Sequence, residues 1–136
     1  MAHDPRRLHR AQRLMQVQGQ MRRVAEIDLA ACRARASAVE ADRAALLDAL
    51  GTGQFGPMLL GAANRRLQSL AVQATEIAAE TARHANTLRE RGLAEKRAGA
   101  LVDRAAGAKA REGERKALLD TLDGLARRRP GDASLP

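Results

Sequence analysis

The chain has 136 residues, 45% of them apolar and 29% charged, with a formal net charge of +8. Thirty residues are alanine and 18 are leucine, Phe55 is the one aromatic residue, and Trp and Tyr are absent. This composition excludes a β-sandwich or barrel, which draws on β-branched and aromatic residues, and it denies a globular core its bulkiest side chains. An all-helical, elongated molecule whose core is a seam remains.

The first segment carries most of the charge. Arg6, Arg7, Arg10, Arg13, Arg22 and Arg23 face only Asp4 within residues 1–25, which therefore hold five of the eight net charges. Arg6, Arg10 and Arg13 follow i, i+4, i+7 spacing and share a helical face, with Arg7 beside them. Positive charge at a helix N-terminus opposes the macrodipole, so this face is expected to serve more than helix stability. A solvated helix start is the plain alternative. No apolar run follows these arginines, so a secretory signal is not expected.

Prolines mark the organisation. They occur only at 5, 57, 130 and 136, and a proline inside a helix costs about 3 kcal/mol. The breaker cluster Gly51-Thr52-Gly53-Gln54-Phe55-Gly56-Pro57 separates two long proline-free stretches, while Pro130 and Gly131 stop the second. The expected order is helix 6–50, turn 51–57, helix 58–127 and a short tail 128–136. Gly51 suits a left-handed residue just past the first helix, and Pro57 suits the start of the next.

Periodicity supports a coiled coil. In the first helix Leu14, Val17, Met21, Ala25, Leu29, Cys32, Ala36, Val39, Arg43, Leu46 and Leu50 form a heptad seam, with a stutter over 21–29. In the second, Leu60, Ala63, Leu67, Leu70, Ala74, Ile77, Thr81, His84 and Leu88 alternate three and four apart. A seven-residue turn allows only antiparallel neighbours, so the prediction is one antiparallel two-helix coiled-coil hairpin with a longer second helix. At ~1.5 Å per residue the helices run to roughly 68 and 105 Å. Position 6 then falls opposite about 102, leaving 103–127 without a partner in the hairpin. That overhang carries Leu118, Leu119, Leu122 and Leu125 as an amphipathic stripe, preceded by Gly107 and Gly113. Either the chain bends there and folds back, or the stripe is a docking surface; docking is the preferred expectation.

Catalytic constellations are not evident. His3, His9 and His84 lie far apart, and only His84 reaches the seam. Cys32, the single cysteine, reads as a small buried hydrophobe, and it excludes an internal disulfide or multi-cysteine zinc site. The glycines of 51–56 lack a following Lys-Ser/Thr and make a turn, not a phosphate loop. No pocket of the usual size is expected in a long hairpin. For the basic end, nucleic acid lacks aromatics for stacking and a recognisable motif, and a membrane-surface helix lacks Trp or Phe on its apolar face. An acidic protein partner fits better. A nucleic-acid-associated basic coiled coil and a self-associating rod, with the leucines closing a homo-oligomer, stay open as alternatives.

The start Arg6-Arg7-Leu8-His9-Arg10-Ala11-Gln12-Arg13-Leu14, the longer second helix, and the segment Leu88-Arg89-Glu90-Arg91-Gly92-Leu93-Ala94-Glu95-Lys96-Arg97 together resemble the FliJ/YscO family. These are the coiled-coil stalk proteins of flagellar and virulence type III export machines, and the resemblance covers 6–127. It implies a non-enzymatic stalk or adaptor, also described as an export chaperone. The end bearing both termini enters the pore of a hexameric export ATPase, and other surface contacts the membrane export gate protein. Carried onto this chain, the inserted end comprises Arg6, Arg7, Arg10 and Arg13 with the overhang of Leu118, Leu119, Leu122 and Leu125. Cofactors, metals and a small-molecule substrate are not implied. The implied location is the cytoplasm, peripheral to the inner membrane only through partners. Gly92, Gly99, Gly107 and Gly113 depart from the pattern by softening a torque-bearing helix.

Overall fold

The computed structural model describes residues 4–53 and 56–128. Two helices account for nearly all of them: α1, Arg7–Gly51, of 45 residues, and α2, Pro57–Arg128, of 72. The fold is an all-α antiparallel hairpin with the longer helix second, and no strand occurs among the described residues. The expected boundaries 6–50 and 58–127 each shift by one residue. Gln54 and Phe55 of the turn, His3, the stop at Pro130 and Gly131, and the tail from Arg129 lie outside the described residues.

Local chemistry explains the ends. Asp4 caps α1: its Oδ1 accepts from the Arg6 N–H at 2.9 Å and its carbonyl from the Arg7 N–H at 3.0 Å. Pro5 follows the cap, where a missing N–H costs nothing. At the other end the Thr52 and Gly53 N–H groups donate to Ala49 and Leu50 carbonyls, both at 3.3 Å. Gly53, and not Gly51, takes the left-handed conformation, with φ +69°. Gly51 instead completes α1, because the helix continues one residue further before its last carbonyls are taken up. Pro57 opens α2 as expected. Alanine at these two glycines should therefore act in opposite directions. Gly53→Ala is expected to lower stability by about 1 kcal/mol through backbone strain. Gly51→Ala, with open space around it, should raise stability by up to about 1 kcal/mol. Urea titrations followed by circular dichroism distinguish the two.

Two compact units divide the chain. The Gly19–Leu93 unit has a core of Cys32, Val39, Leu70 and Ile77, with Ala36, Leu46 and Ala74 packed against it. Ala25, Leu29 and Ala63 are buried in the same unit. The other unit joins the described residues up to Gln18 with those from Ala94. Its buried residues are Ala11, Ala98 and Ala105. Alanine lets helices approach closely but removes little apolar area from water, so this second seam is thin.

The structure keeps Met21, Ala25, Leu29, Cys32, Ala36, Val39, Leu46 and Leu50 in the α1 seam and corrects its first residues. Leu14 and Val17 are exposed, while Ala11 and Ala25, fourteen residues apart, are buried. Met21, Ala25 and Leu29, the expected stutter residues, are half-buried, buried and buried respectively. Leu14 and Met15 both sit at the edge of the seam, 41% and 40% exposed, while Gln18, Met21 and Arg22 are half-buried. The Gln18 Oε1 atom is buried without a hydrogen-bond partner. Two further expected seam residues are also exposed: Arg43, paired with Glu40 at 3.8 Å, and Leu60. Thr81, His84 and Leu88 are half-buried as expected, and the Thr81 hydroxyl donates to the Ile77 carbonyl at 2.8 Å.

Candidate protein-binding site

Arg6, Arg7, Arg10 and Arg13 all stay exposed at the start of α1. Arg10 is engaged: its Nη2 donates to Asp4 Oδ2 at 2.7 Å, so the capping carboxylate also takes up part of the basic face. Arg7 and Arg10 line a shallow hollow of about 210 Å³ with Ala11, Leu14 and Leu101. The flank residue Leu14 thus meets α2 beside the seam. This places guanidinium groups and apolar side chains side by side, which neither a purely solvated face nor a core would do.

The last buried residue of α2 is Ala105, at 0% exposure. Among the described residues, none of α2 beyond Ala105 is buried, a boundary a few residues later than the expected 103. The helix runs unbroken through Gly107 and Gly113 to Arg128, so the alternative of a bend and fold-back does not occur. Leu118, Leu119, Leu122 and Leu125 remain 47–59% exposed. Continuing the α2 repeat past Ala105 brings up Lys109, Glu112 and Lys116 at seam positions. From 109 to 116 the hairpin repeat is thus charged; it next reaches Leu119, while Leu118, Leu122 and Leu125 share a neighbouring face. The sequence-predicted residues consequently form two patches of the same unit, one basic and one apolar.

Sequence reasoning missed a polar cluster in the Gly19–Leu93 unit. Arg35 Nη1 donates to Glu80 Oε2 at 2.7 Å, and the buried Cys32 thiol donates to the same oxygen at 3.6 Å. The hydrogen bond and charge of Arg35 hold the Glu80 carboxyl below its ordinary pKa, and Glu80 in turn raises that of Arg35. Arg35 and Glu80 flank the seam on facing helices, as do Asp42 and Arg66 at 4.0 Å. Opposed flank charges could have been found by aligning the two repeats across the turn. Glu80 ionises more readily folded than unfolded, so the pair stabilises the fold above the ordinary carboxylate pKa. That contribution is lost as pH falls through the lowered folded value. The melting difference between wild type and Glu80→Gln should accordingly be present at pH 7, shrink as pH falls below the ordinary carboxylate range, and be reduced by salt.

An open groove of about 380 Å³ beside this cluster is lined by Arg35, Ala38, Val39, Gln73, Glu76 and Ile77. Among the described residues, no group of three or more His, Cys, Asp or Glu side chains is placed to hold a metal ion. No described helix is long and apolar enough to cross a membrane. Comparison with known proteins finds no matching family model, no matching curated protein and no matching solved structure.

Proposed function

We propose that this chain is a non-enzymatic coiled-coil stalk or adaptor of a bacterial type III protein export apparatus, acting by binding a hexameric export ATPase and an export gate protein. The observation that carries the reading is the stripe Leu118, Leu119, Leu122 and Leu125, exposed on a helix that continues past its last buried residue, Ala105. Four exposed leucines on one stretch of helix cost solubility unless something covers them. The exposed arginines at the start of α1 belong to the same unit and suit an acidic lining around such a socket. Support from sequence comes from the resemblance of 6–127 to FliJ/YscO proteins, and the longer second helix agrees with it.

The test is reconstitution. Mixing the protein with a hexameric type III export ATPase at micromolar concentration should give co-elution on gel filtration and a changed rate of ATP hydrolysis. Arg13→Glu is the better charge reversal than Arg10→Glu, because Arg10 also holds Asp4. Neither co-elution nor a change in turnover would end the proposal.

A further inference from the structure

The last part of α2 carries a repeat that the hairpin does not use. Leu118, Leu122 and Leu125 lie four and three residues apart, the spacing of a coiled-coil seam, and one step back in the same rhythm reaches Arg115. Glu112, Leu119 and Ala126 border this seam on one edge, and Glu114, Thr121 and Arg128 on the other. The four leucines are each about half exposed. Arg7, at the start of α1, shares a hollow with Leu101, and Ala105 is the last buried residue of α2. Glu112 lies about 10 Å further along the helix than Ala105. A second helix can therefore lie against 112–128 without displacing α1.

This face is complementary to itself in one orientation. In an antiparallel pair with Leu118 facing Leu122 of a second copy, twofold symmetry sets Leu122 against Leu118 and Arg115 against Leu125. On one edge Leu119 then meets Leu119 across the axis. On the other, Glu114 stands beside Arg128, and the symmetry makes that contact twice. Among the described residues neither Glu114 nor Arg128 has an ion pair within its own chain. Lys116, Asp120, Asp123 and Arg127 fall on the outer side of the helix. Arg115 is the one charge at a seam position within 112–128, and its Nη2 donates to Glu112 Oε1 at 3.1 Å. Its methylene stem can cover Leu125 while the guanidinium stays at the edge. A parallel pair would instead stack Arg115 on Arg115 inside the seam and set Glu114 beside Leu119. Sliding the antiparallel pair by one heptad removes the contact between Glu114 and Arg128.

We infer that the free chain forms an antiparallel homodimer through residues 112–128 of α2, with the leucine stripe of each copy covered by the other. The area sets its strength. Eight half-exposed leucines, at about 80 Å² each, withdraw roughly 640 Å² from water. The stems of Arg115, Thr121 and Arg128 bring the interface to roughly 1,000 Å², short of the ~1,200 Å² of a stable one, so the dimer is reversible. It does not rest on the ATPase reading, though the two share a surface: the stripe serves a second copy in the free chain, and the two occupancies exclude each other.

Sedimentation equilibrium of the full chain alone, across micromolar concentrations at low salt, is the test, and it involves no ATPase. The expected result is a reversible monomer–dimer equilibrium. Leu118→Gln with Leu122→Gln should weaken dimerisation at least tenfold with unchanged helicity, since both positions are exposed and glutamine keeps helix propensity. Glu114→Arg and Arg128→Glu each set like charges against one another and should each weaken it about threefold or more. Mixed in equal amounts, these two variants re-form both ion pairs in a heterodimer and should return to within about twofold of wild type. A monomer at every concentration overturns the inference and leaves the ATPase reading standing. A dimer indifferent to the paired glutamines also overturns it, because another face would then hold the copies together. Mixing that restores nothing overturns it as well, since only the antiparallel register brings 114 and 128 together.

Discussion

Leu70→Ala is expected to destabilise the Gly19–Leu93 unit by about 3 kcal/mol, a large part of the 5–15 kcal/mol that ordinarily separates folded from unfolded chains. Leu70 is 1% exposed and is the largest side chain so fully buried among the described residues. Cys32, Val39 and Ile77 share its cluster, and none of them can replace its volume. Truncation removes the apolar area and leaves a void between two helices whose separation is held by neighbouring layers. At this chain length the melting temperature should fall by roughly 10 °C. Leu14→Ala, on an exposed flank, should shift it by no more than a few degrees. A Leu70→Ala shift as small as that of Leu14→Ala would mean that the seam is not what holds these helices together.

That contrast also shows what the sequence revealed. Leu70, Ala74 and Ile77 were legible because their three- and four-residue spacing has no competing phase, and Pro57 marked where it could begin. Leu14 and Val17 were misplaced for a physical reason. Apolar weighting favours a leucine or valine over an alanine, whereas a close antiparallel seam favours the alanine, as Ala11, Ala98 and Ala105 show. The turn was legible as a region but not residue by residue. Gly51, Gly53 and Gly56 all tolerate a left-handed backbone, and only the pairing of the Ala49 and Leu50 carbonyls selects Gly53. The Arg35–Glu80 pair lay 45 positions apart and became visible only once the two helices were in register. The exposure of Leu118, Leu119, Leu122 and Leu125 was legible because helix lengths alone put them past the end of α1. What the proposed ATPase offers them is a property of another protein, and no spacing within this chain encodes that.

The leucine stripe gives the second large effect. If the proposed stalk role holds, Leu118→Asp together with Leu122→Asp should weaken binding to a hexameric export ATPase at least a hundredfold while leaving the hairpin folded. Covering each half-exposed leucine removes roughly 80 Å² from water, worth about 2 kcal/mol at 25 cal/mol per Å². Two lost leucines and two carboxylates forced against an apolar socket together exceed the ~2.7 kcal/mol that corresponds to a hundredfold in affinity. The fold should tolerate the change, because neither side chain is buried. Only helix propensity is lost, about 0.5 kcal/mol at each site. Leu118→Gln with Leu122→Gln separates the contributions, since glutamine removes the apolar surface but retains the propensity and brings no charge. If the leucines are seated in the partner, the glutamine variant also loses at least tenfold. If it binds like wild type while the aspartate variant does not, the stripe merely borders an acidic surface. Arg13→Glu should then be the stronger variant and should steepen the response to salt in neither background. For seated leucines the reverse order is expected: Arg13→Glu slows association at low ionic strength, and the leucine variants speed dissociation at any ionic strength.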